Sequence, residues 1–307
     1  MKRRGFTLIE LLIATAIAGV AAALMTVTIV RQQRFYAGAG EILGVKAELR
    51  DGADILVNDL RSASVAMFGL PVMTDTAVEM MSVISASVAC TQPAGSVIEL
   101  PPTTLAAGHT LTSMLAMPDT GDLAMIYGAA APPDSAGWET HRVASLTSRS
   151  VSTTCAPATG FTNAADQFSS SPAFLLTLAS NPSARVGRGA LIHFLRRSRY
   201  SLYKSSDGDW YLGYRRCGIT PPNPCSTIQP VSGPYRPLRG GSPAGMSFKY
   251  YDAYGNELLD QGQSARVARI DIVLRGQSRA LIALGGDTRK SWRDSVIVSV
   301  APRNSER

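Results

Sequence analysis

Arg3-Arg4-Gly5-Phe6-Thr7-Leu8-Ile9-Glu10-Leu11-Leu12 stands at the start of the sequence and begins an apolar run that continues to Val30. No residue between Leu11 and Val30 is charged. Twenty residues in a helix rise about 30 Å, which is close to the thickness of one hydrocarbon core. The run therefore predicts a helix long enough to cross a membrane.

Glu10 is the acid that this span would have to carry. A carboxylate within a span costs about 2.5 to 3.5 kcal/mol on insertion scales. The twelve Leu, Ile, Val and Phe residues between Phe6 and Val30 oppose that cost, because each contributes about −0.3 to −0.6 kcal/mol. Insertion is therefore favoured despite Glu10.

Basic residues on both sides of the run set its orientation. Lys2, Arg3 and Arg4 precede the run, and such residues favour the cytoplasmic side of a membrane. Arg31 and Arg34 follow the run and weaken the bias. We expect a single pass through the inner membrane, with the N-terminus in the cytoplasm and the rest of the chain in the periplasm.

Three simpler interpretations account for a basic tip and an apolar run. They are a plain membrane anchor, a cleaved secretory signal with a small-residue site such as Ala21-Ala22-Ala23, and a twin-arginine signal, which Arg3-Arg4-Gly5-Phe6 loosely matches. None of them gives Glu10 a task, although an acid within a span is by default a functional hypothesis. Composition alone leaves all three open.

The ten residues from Gly5 to Ala14 resemble the class III leader junction of type IV pilins and type II secretion pseudopilins. In that family the prepilin peptidase cleaves after the glycine and methylates the new N-terminus, which implies cleavage between Gly5 and Phe6 and N-methylation of Phe6. The family acid pairs with the N-terminal ammonium of a neighbouring subunit, a role that falls here to Glu10. The implied partners are the prepilin peptidase, other minor pilins, the major pilin and the inner membrane.

Weaker similarities point to a subgroup. Asp59-Leu60-Arg61-Ser62-Ala63 is similar to the helix-ending Asp-Leu-Arg-x-Ala of PilW-type and J-type proteins, and Ser201-Leu202-Tyr203 before a Gly-containing turn resembles a hairpin of that group. The tail from Ser295 to Asn304 is similar to the last strand of PilW-type minor pilins, from which Ala301-Pro302 departs. The similarity implies a minor pilin that primes pilus assembly at or near the tip, for motility, adhesion or DNA uptake. A J-type pseudopilin of a type II secretion system is the alternative.

The remaining pattern predicts an α+β, pilin-like fold in which one long helix packs on an antiparallel sheet. Apolar residues recur at helical spacing beyond the membrane. They are Ile42, Val45, Leu49, Ala53, Leu56 and Leu60. We expect a leader at 1–5, a transmembrane half-helix at 6–30, a periplasmic half-helix at 31–64 and a β-rich periplasmic domain at 65–307.

Short apolar runs after residue 64 predict strands. The runs are Val97–Leu100, Leu123–Tyr127, Ala173–Leu178, Leu191–Leu195, Tyr200–Tyr203, Trp210–Tyr214, Met246–Tyr251, Val267–Leu274, Ala280–Leu284 and Ser295–Val300. Asp207-Gly208 predicts the turn of a hairpin. Residues 71–94 and 129–168 lack periodicity and are expected to be insertions or long loops.

Four cysteines in a periplasmic domain predict disulfides, since the compartment is oxidising. Three pairings are possible by counting, and we favour Cys217 with Cys225 and Cys90 with Cys155. A metal site is the rival interpretation, but neither the cysteines nor the three histidines show the spacing of metal ligands.

Charge is divided between two parts of the domain. Residues 62–141 hold no Lys or Arg and seven acids, whereas residues 142–307 hold twenty-two basic and ten acidic residues. Within 185–216 aromatic residues are interspersed among basic ones, a composition that suits a tip module that binds DNA, another polyanion or a surface. The candidate polyanion-binding residues are Arg196, Arg197, Arg199, Lys204, Arg215 and Arg216. We favour a solvated or pairing face over DNA contact, because neighbouring strand residues point to opposite faces.

Enzyme motifs do not occur in the sequence. It has no Gly-x-Ser-x-Gly elbow, no His-Glu-x-x-His and no phosphate-binding loop. We therefore expect neither catalysis nor a cofactor, and Gly5 and Phe6 would be the substrate of another enzyme.

Overall fold

The structure is a computed structural model that describes residues 7–129, 136–168, 170–219, 224–238, 244–282 and 288–303. One long helix near the N-terminus packs on a large antiparallel sheet, so the chain has an α+β, pilin-like fold. The predicted fold class is confirmed.

The helix, α1, runs from Leu8 to Arg61 and is 54 residues long. Thr7 caps its N-terminus, and the backbone N–H of Ser62 caps its C-terminus by donating to Asp59 and Leu60 carbonyl oxygens. The predicted apolar stripe faces the sheet along the second half of the helix. Its buried residues are Gly38, Val45, Leu49, Gly52, Ala53, Leu56 and Leu60.

Thirteen strands are described, together with a short second helix, α2 (Val65–Phe68). The strands are β1 (Val72–Met73), β2 (Ala77–Val88), β3 (Val97–Leu100), β4 (Ser113–Met114), β5 (Leu123–Gly128), β6 (Gly137–Arg149), β7 (Ala173–Leu178), β8 (Leu191–Lys204), β9 (Trp210–Arg216), β10 (Gln229–Tyr235), β11 (Met246–Tyr251), β12 (Arg269–Ile282) and β13 (Lys290–Val300).

The strands form one antiparallel sheet whose main path is β11-β12-β10-β9-β8-β5-β6-β7-β3. The strand β13 pairs with β12, and β2 pairs with β8. The second half of α1 lies across β10, β12 and β13. The main core fills this contact, where Leu56 and Leu60 meet side chains such as Ile272 and Leu274.

A second apolar core lies at the other end of the sheet, away from the helix. It joins β3, β5, β6, β7 and the start of β8 through residues such as Leu176, Ile192 and Phe194. Because β8 runs through both cores, it links the helix-bearing part of the sheet to the part that carries β3 and β7.

The expectation of loops at 71–94 and 129–168 is wrong, because these segments contain β2 and β6. In β2, Val78 and Met80 enter the main core while Met81 packs in a small cluster on the opposite face. A strand covered on both faces shows no alternation of polar and apolar residues. In β6 the inward-facing residues Glu139 and His141 are polar, so this strand also lacks the alternation of polar and apolar residues.

Four predicted strands are parts of two longer ones. Leu191–Leu195 and Tyr200–Tyr203 both lie in β8, because the intervening arginines continue the strand. Likewise 267–274 and 280–282 fall largely within β12, while Ala283 and Leu284 lie outside the described residues. The predicted hairpin turn is confirmed, since Gly208 donates its N–H to the Ser205 carbonyl oxygen and has a φ of +90°.

Gly52 marks the closest approach of α1 to the sheet. A Cβ at this position would overlap the hydroxyl oxygens of Tyr235 and Ser232, and Leu274 lies 3.3 Å away. These two hydroxyls hydrogen-bond each other at 2.6 Å, and Tyr235 also donates to the Glu48 carbonyl oxygen. The helix therefore requires glycine at this position.

Replacing Gly52 with alanine is expected to lower the free energy of unfolding by about 1 to 3 kcal/mol, the usual cost of overpacking. Gly44→Ala is the matched control, because Gly44 lies in the same helix and a methyl group added there would meet no atom within 4 Å. This second change should raise stability by about 0.5 to 1 kcal/mol through the helix propensity of alanine. Denaturant unfolding of the detergent-solubilised chain measures both, and equal effects at the two positions would contradict the close approach.

Candidate functional site: the apolar half of the helix and the basic strand

Glu10 and Thr7 form a reciprocal capping box at the start of α1. The Thr7 backbone N–H and hydroxyl both donate to Oε2 of Glu10, at 3.0 and 2.9 Å. The Glu10 N–H donates to the Thr7 hydroxyl oxygen at 3.4 Å. Within the described residues no hydrogen bond reaches Oε1 of Glu10.

The first half of α1 has no cover from its own chain. Every residue from Thr7 to Ala37 is exposed, and the most apolar window of the helix has no buried share. The large apolar side chains exposed here are Leu8, Ile9, Leu11, Leu12, Ile13, Ile17, Val20, Leu24, Met25, Val27, Ile29 and Val30. An apolar surface of this extent requires lipid or protein around it.

The threonines of this half are already satisfied. Thr15 donates its hydroxyl to the Leu12 carbonyl oxygen, and Thr26 and Thr28 donate to carbonyl oxygens one turn earlier, at 2.8 and 2.9 Å. Such local bonds let hydroxyl groups enter an apolar environment without an unpaired donor. The helix is long and apolar enough to cross a membrane and fits a single-pass inner-membrane anchor.

The cleavage and methylation residues, Gly5 and Phe6, lie outside the described residues. The first described residue is Thr7, the second residue after the proposed junction. Of the three predicted site residues, the structure describes Glu10.

The basic segment forms most of β8 and β9, next to the acidic part of the chain. Arg196 donates to both carboxylate oxygens of Asp122, at 3.1 and 2.8 Å. Arg216 contacts Asp122 at 3.0 Å and Asp119 at 2.8 Å. Asp122 is 2% exposed, so its pairs with Arg196 and Arg216 are partly buried, whereas the side chain of Asp119 is 66% exposed. These ion pairs hold the β4–β5 connection against β8 and β9.

Arg197 is paired in the same manner on the other face of β8. Its Nε donates to Glu79 on β2 at 2.5 Å, and its Nη1 donates to the Gly218 carbonyl oxygen. Glu79 is 2% exposed. Three of the six candidate polyanion-binding residues thus neutralise acids of their own chain.

The other three candidates make no ion pair within the described residues. Arg199 and Arg215 lie directly opposite each other in the β8–β9 register, and Nε of Arg215 is buried without a hydrogen-bond partner. Lys204 is exposed at the end of β8. The structure therefore divides the six residues into three that form ion pairs and three that form none within the described residues.

One aromatic residue of this segment, Tyr200, contacts the helix, which the sequence did not reveal. Tyr200 donates its hydroxyl to Asp59 near the end of α1 at 2.6 Å, and its ring packs 5.3 Å from that of Tyr214. Burial raises the pKa of the Asp59 carboxyl, and burial with the nearby Asp59 charge raises the pKa of Tyr200. The position of Asp59 at the end of the amphipathic stripe is the one sequence signal for this contact.

Two disulfides close loops in the domain, and they are the two pairs favoured from the sequence. Cys90 bonds Cys155 with a Cα–Cα distance of 5.4 Å, and Cys217 bonds Cys225 with 3.9 Å. Glu79 lies near the second disulfide, and its carboxylate is close enough to the sulfurs of Cys217 and Cys225 for the three side chains to resemble a metal site. Disulfide sulfurs are not thiolates, however, so these two cysteines cannot act as metal ligands.

Comparison with known proteins finds one family. Residues 1–26 match the model of the prokaryotic N-terminal methylation motif. This match supports a type IV pilin-like or pseudopilin precursor, processed by prepilin peptidase and assembled with other pilins. The motif family is structural and not enzymatic. No curated protein and no solved structure matches the chain.

Replacing Arg197 with glutamine is expected to lower the free energy of unfolding by about 3 to 5 kcal/mol, because it leaves the buried Glu79 carboxylate without its cation. The double variant Glu79→Gln/Arg197→Gln should recover part of this loss. Arg199→Gln, two residues along the same strand, removes no ion pair and should change stability by less than about 0.5 kcal/mol. Denaturant unfolding checks all three, and equal losses for Arg197→Gln and Arg199→Gln would contradict the paired assignment.

Proposed function

We propose that this chain is a minor pilin of a type IV pilus, made as an inner-membrane precursor and later extracted into the filament. Prepilin peptidase cleaves between Gly5 and Phe6 and methylates the Phe6 amine. Residues 1–5 are the leader, 6–30 the transmembrane half-helix, 31–64 the periplasmic half-helix and 65–307 the periplasmic domain. The observation that carries the proposal is the exposed apolar half of α1, together with the capping box that Glu10 forms with Thr7 at its start.

The uncovered half-helix serves two environments in succession. In the precursor, lipid surrounds the exposed side chains between Leu8 and Val30. In the filament, the same side chains pack against the helices of neighbouring subunits. Lipid tails are about as apolar as these side chains, so their transfer changes the hydrophobic free energy little. Specific packing and polar contacts must therefore decide where each subunit settles.

Glu10 is the residue that supplies this specificity. Its Oε2 is engaged by Thr7, while no described residue contacts its Oε1 with a hydrogen bond. Oε1 can accept a hydrogen bond from the methylated ammonium of a neighbouring subunit. A charge pair in an apolar surrounding is strongly dependent on geometry, so it sets the axial position of one helix relative to the next.

Two features support the periplasmic placement of the domain. Both disulfides need an oxidising compartment to persist. The basic tip before the run favours a cytoplasmic N-terminus, which puts everything after the span on the other side.

The minor-pilin assignment, with priming at or near the tip, rests on the PilW-type similarity. Asp59 in the helix-ending motif and Tyr200 next to the similar hairpin motif contact each other, so the two similar motifs meet at one place in the fold. A J-type pseudopilin of a type II secretion system, which has similar motifs, is the alternative. Loss of a minor pilin would remove surface pili and twitching, whereas loss of a pseudopilin would stop exoprotein release.

Binding of DNA or another polyanion is a weaker candidate. Arg196, Arg197 and Arg216 are used within the chain. The available charge is reduced to Arg199, Lys204 and Arg215, of which the first and last face each other across two strands. This small group suits contact with an acidic neighbour better than an extended polyanion track.

Glu10→Gln is expected to reduce incorporation of the chain into sheared filaments at least tenfold while leaving membrane insertion and leader cleavage intact. The glutamine amide oxygen still accepts from Thr7, so the helix cap remains and the charge alone is lost. Quantitative immunoblots of sheared filaments and membranes measure the ratio.

Thr7→Ala is the matched control, because it removes the cap and keeps the carboxylate. Incorporation of this variant should fall by no more than about fivefold, since loss of an N-cap costs only about 1 kcal/mol. Normal incorporation of Glu10→Gln, or an equal defect in both variants, would contradict a pairing role for the charge.

A further inference from the structure

The end of the sheet that lies nearest the apolar half-helix carries several unpaired cations. The strands β12 and β13 end beside α1, where Ile282 packs at Gly38, the first buried position of the helix. A cavity of about 250 Å³ at this point is lined by side chains of both elements. Its lining includes Arg34, Glu41, Leu281 and Arg289.

The position of this end relative to a bilayer follows from the helix itself. Gly38 lies eight residues beyond Val30, which is about 12 Å along a helix. Arg34 lies about 6 Å beyond Val30, and a bilayer's headgroup region extends about 5 to 8 Å from its hydrocarbon core. If the apolar run spans the membrane, Arg34 therefore lies at headgroup level and the β12–β13 end lies directly above it.

The charges at this end are mostly positive. Arg31, Arg34, Arg289 and Lys290 are exposed and make no ion pair within the described residues. Glu41 is the acid that lines the cavity, and its Oε2 accepts a hydrogen bond from the Ala280 N–H at 3.4 Å. Asp287, between the two strands, lies outside the described residues.

Exposed aromatic and apolar side chains complete the same level of the molecule. Phe35 and Tyr36 are 63% and 72% exposed, and their rings contact each other edge to face at 6.0 Å. Leu281 is 61% exposed at the end of β12. Aromatic residues with a polar edge favour the membrane interface, and arginine reaches phosphate from there.

We propose that this end is a binding surface for anionic phospholipid headgroups, formed by Arg34 of the helix and Arg289 of the sheet. The lipid phosphate lies between the two guanidinium groups, with Phe35 and Tyr36 beside it at the level of the headgroups. The surface rests on the proposed membrane anchoring. It would fix the domain against the bilayer until extraction, at which point these contacts must break.

Lipid selectivity of the full-length chain tests this surface directly. The chain is reconstituted in phosphatidylcholine bilayers containing spin-labelled phosphatidylglycerol or spin-labelled phosphatidylcholine, and electron paramagnetic resonance gives the relative affinity of the two labels. We expect at least a fivefold preference for phosphatidylglycerol at low salt, because each interfacial cation contributes about 1 kcal/mol, and a decline of this preference as salt rises. Arg34→Gln/Arg289→Gln should reduce the ratio to about one.

Arg50→Gln/Arg303→Gln is the matched control. It removes the same charge from two exposed positions that lie far from the bilayer. Arg50 lies about 30 Å along the helix from Val30, and the Arg303 N–H donates to the Arg61 carbonyl oxygen at the far end of α1. Its preference should equal that of the unaltered chain. No preference in the unaltered chain, an equal loss in both double variants, or displacement of the labelled lipid by inorganic phosphate at constant ionic strength would overturn the proposal.

Flotation of the same bilayers separates this proposal from the proposed function. A chain that floats with the vesicles but shows no lipid preference retains its anchor and lacks the headgroup surface. A chain that does not float would contradict the anchoring itself.

Discussion

The close approach of α1 to the sheet is the contact on which the rest of the structure depends. At Gly52 the helix meets Tyr235 and Ser232, and at Gly276 the sheet receives Val45 and Leu49 of the helix. Two glycines, one on each element, let the backbones come together and allow the apolar stripe to be buried. The second half of the helix is thereby fixed to the domain, whereas the apolar first half is exposed and packs on no other part of the described chain.

Charge neutralisation within the sheet is a second constraint of the same kind. The acidic and basic portions of the sequence fold next to each other, so that Glu79 and Asp122 meet arginines of β8 and β9. Buried acids of this type must be paired. Three arginines of the basic segment, Arg196, Arg197 and Arg216, therefore pair with acids of their own chain. Among the described residues, Arg199, Lys204 and Arg215 make no ion pair, and neither do Arg34 and Arg289 beside the first half of the helix.

The features predictable from sequence are those that repeat or stand in a recognisable order. Helical spacing from Val45 to Leu60 predicted α1 and its buried face, and the order of Gly5, Phe6 and Glu10 pointed to the junction that the methylation-motif match also covers. Strand β2 was missed because both of its faces are covered, and β6 because Glu139 and His141 point inward. The contact between Asp59 and Tyr200 joins residues that are 141 positions apart in the sequence. No local sequence pattern specifies a contact between residues so widely separated.

The central claim is that the exposed apolar half of α1 first lies in the inner membrane and then in a filament. Mass spectrometry of sheared surface filaments, with the membrane fraction of the same cells as reference, tests it most directly. The account predicts an N-terminal peptide that begins at N-methylated Phe6 in the filament fraction. Recovery of the chain only from membranes, or in filaments with residues 1–5 still attached, would contradict it.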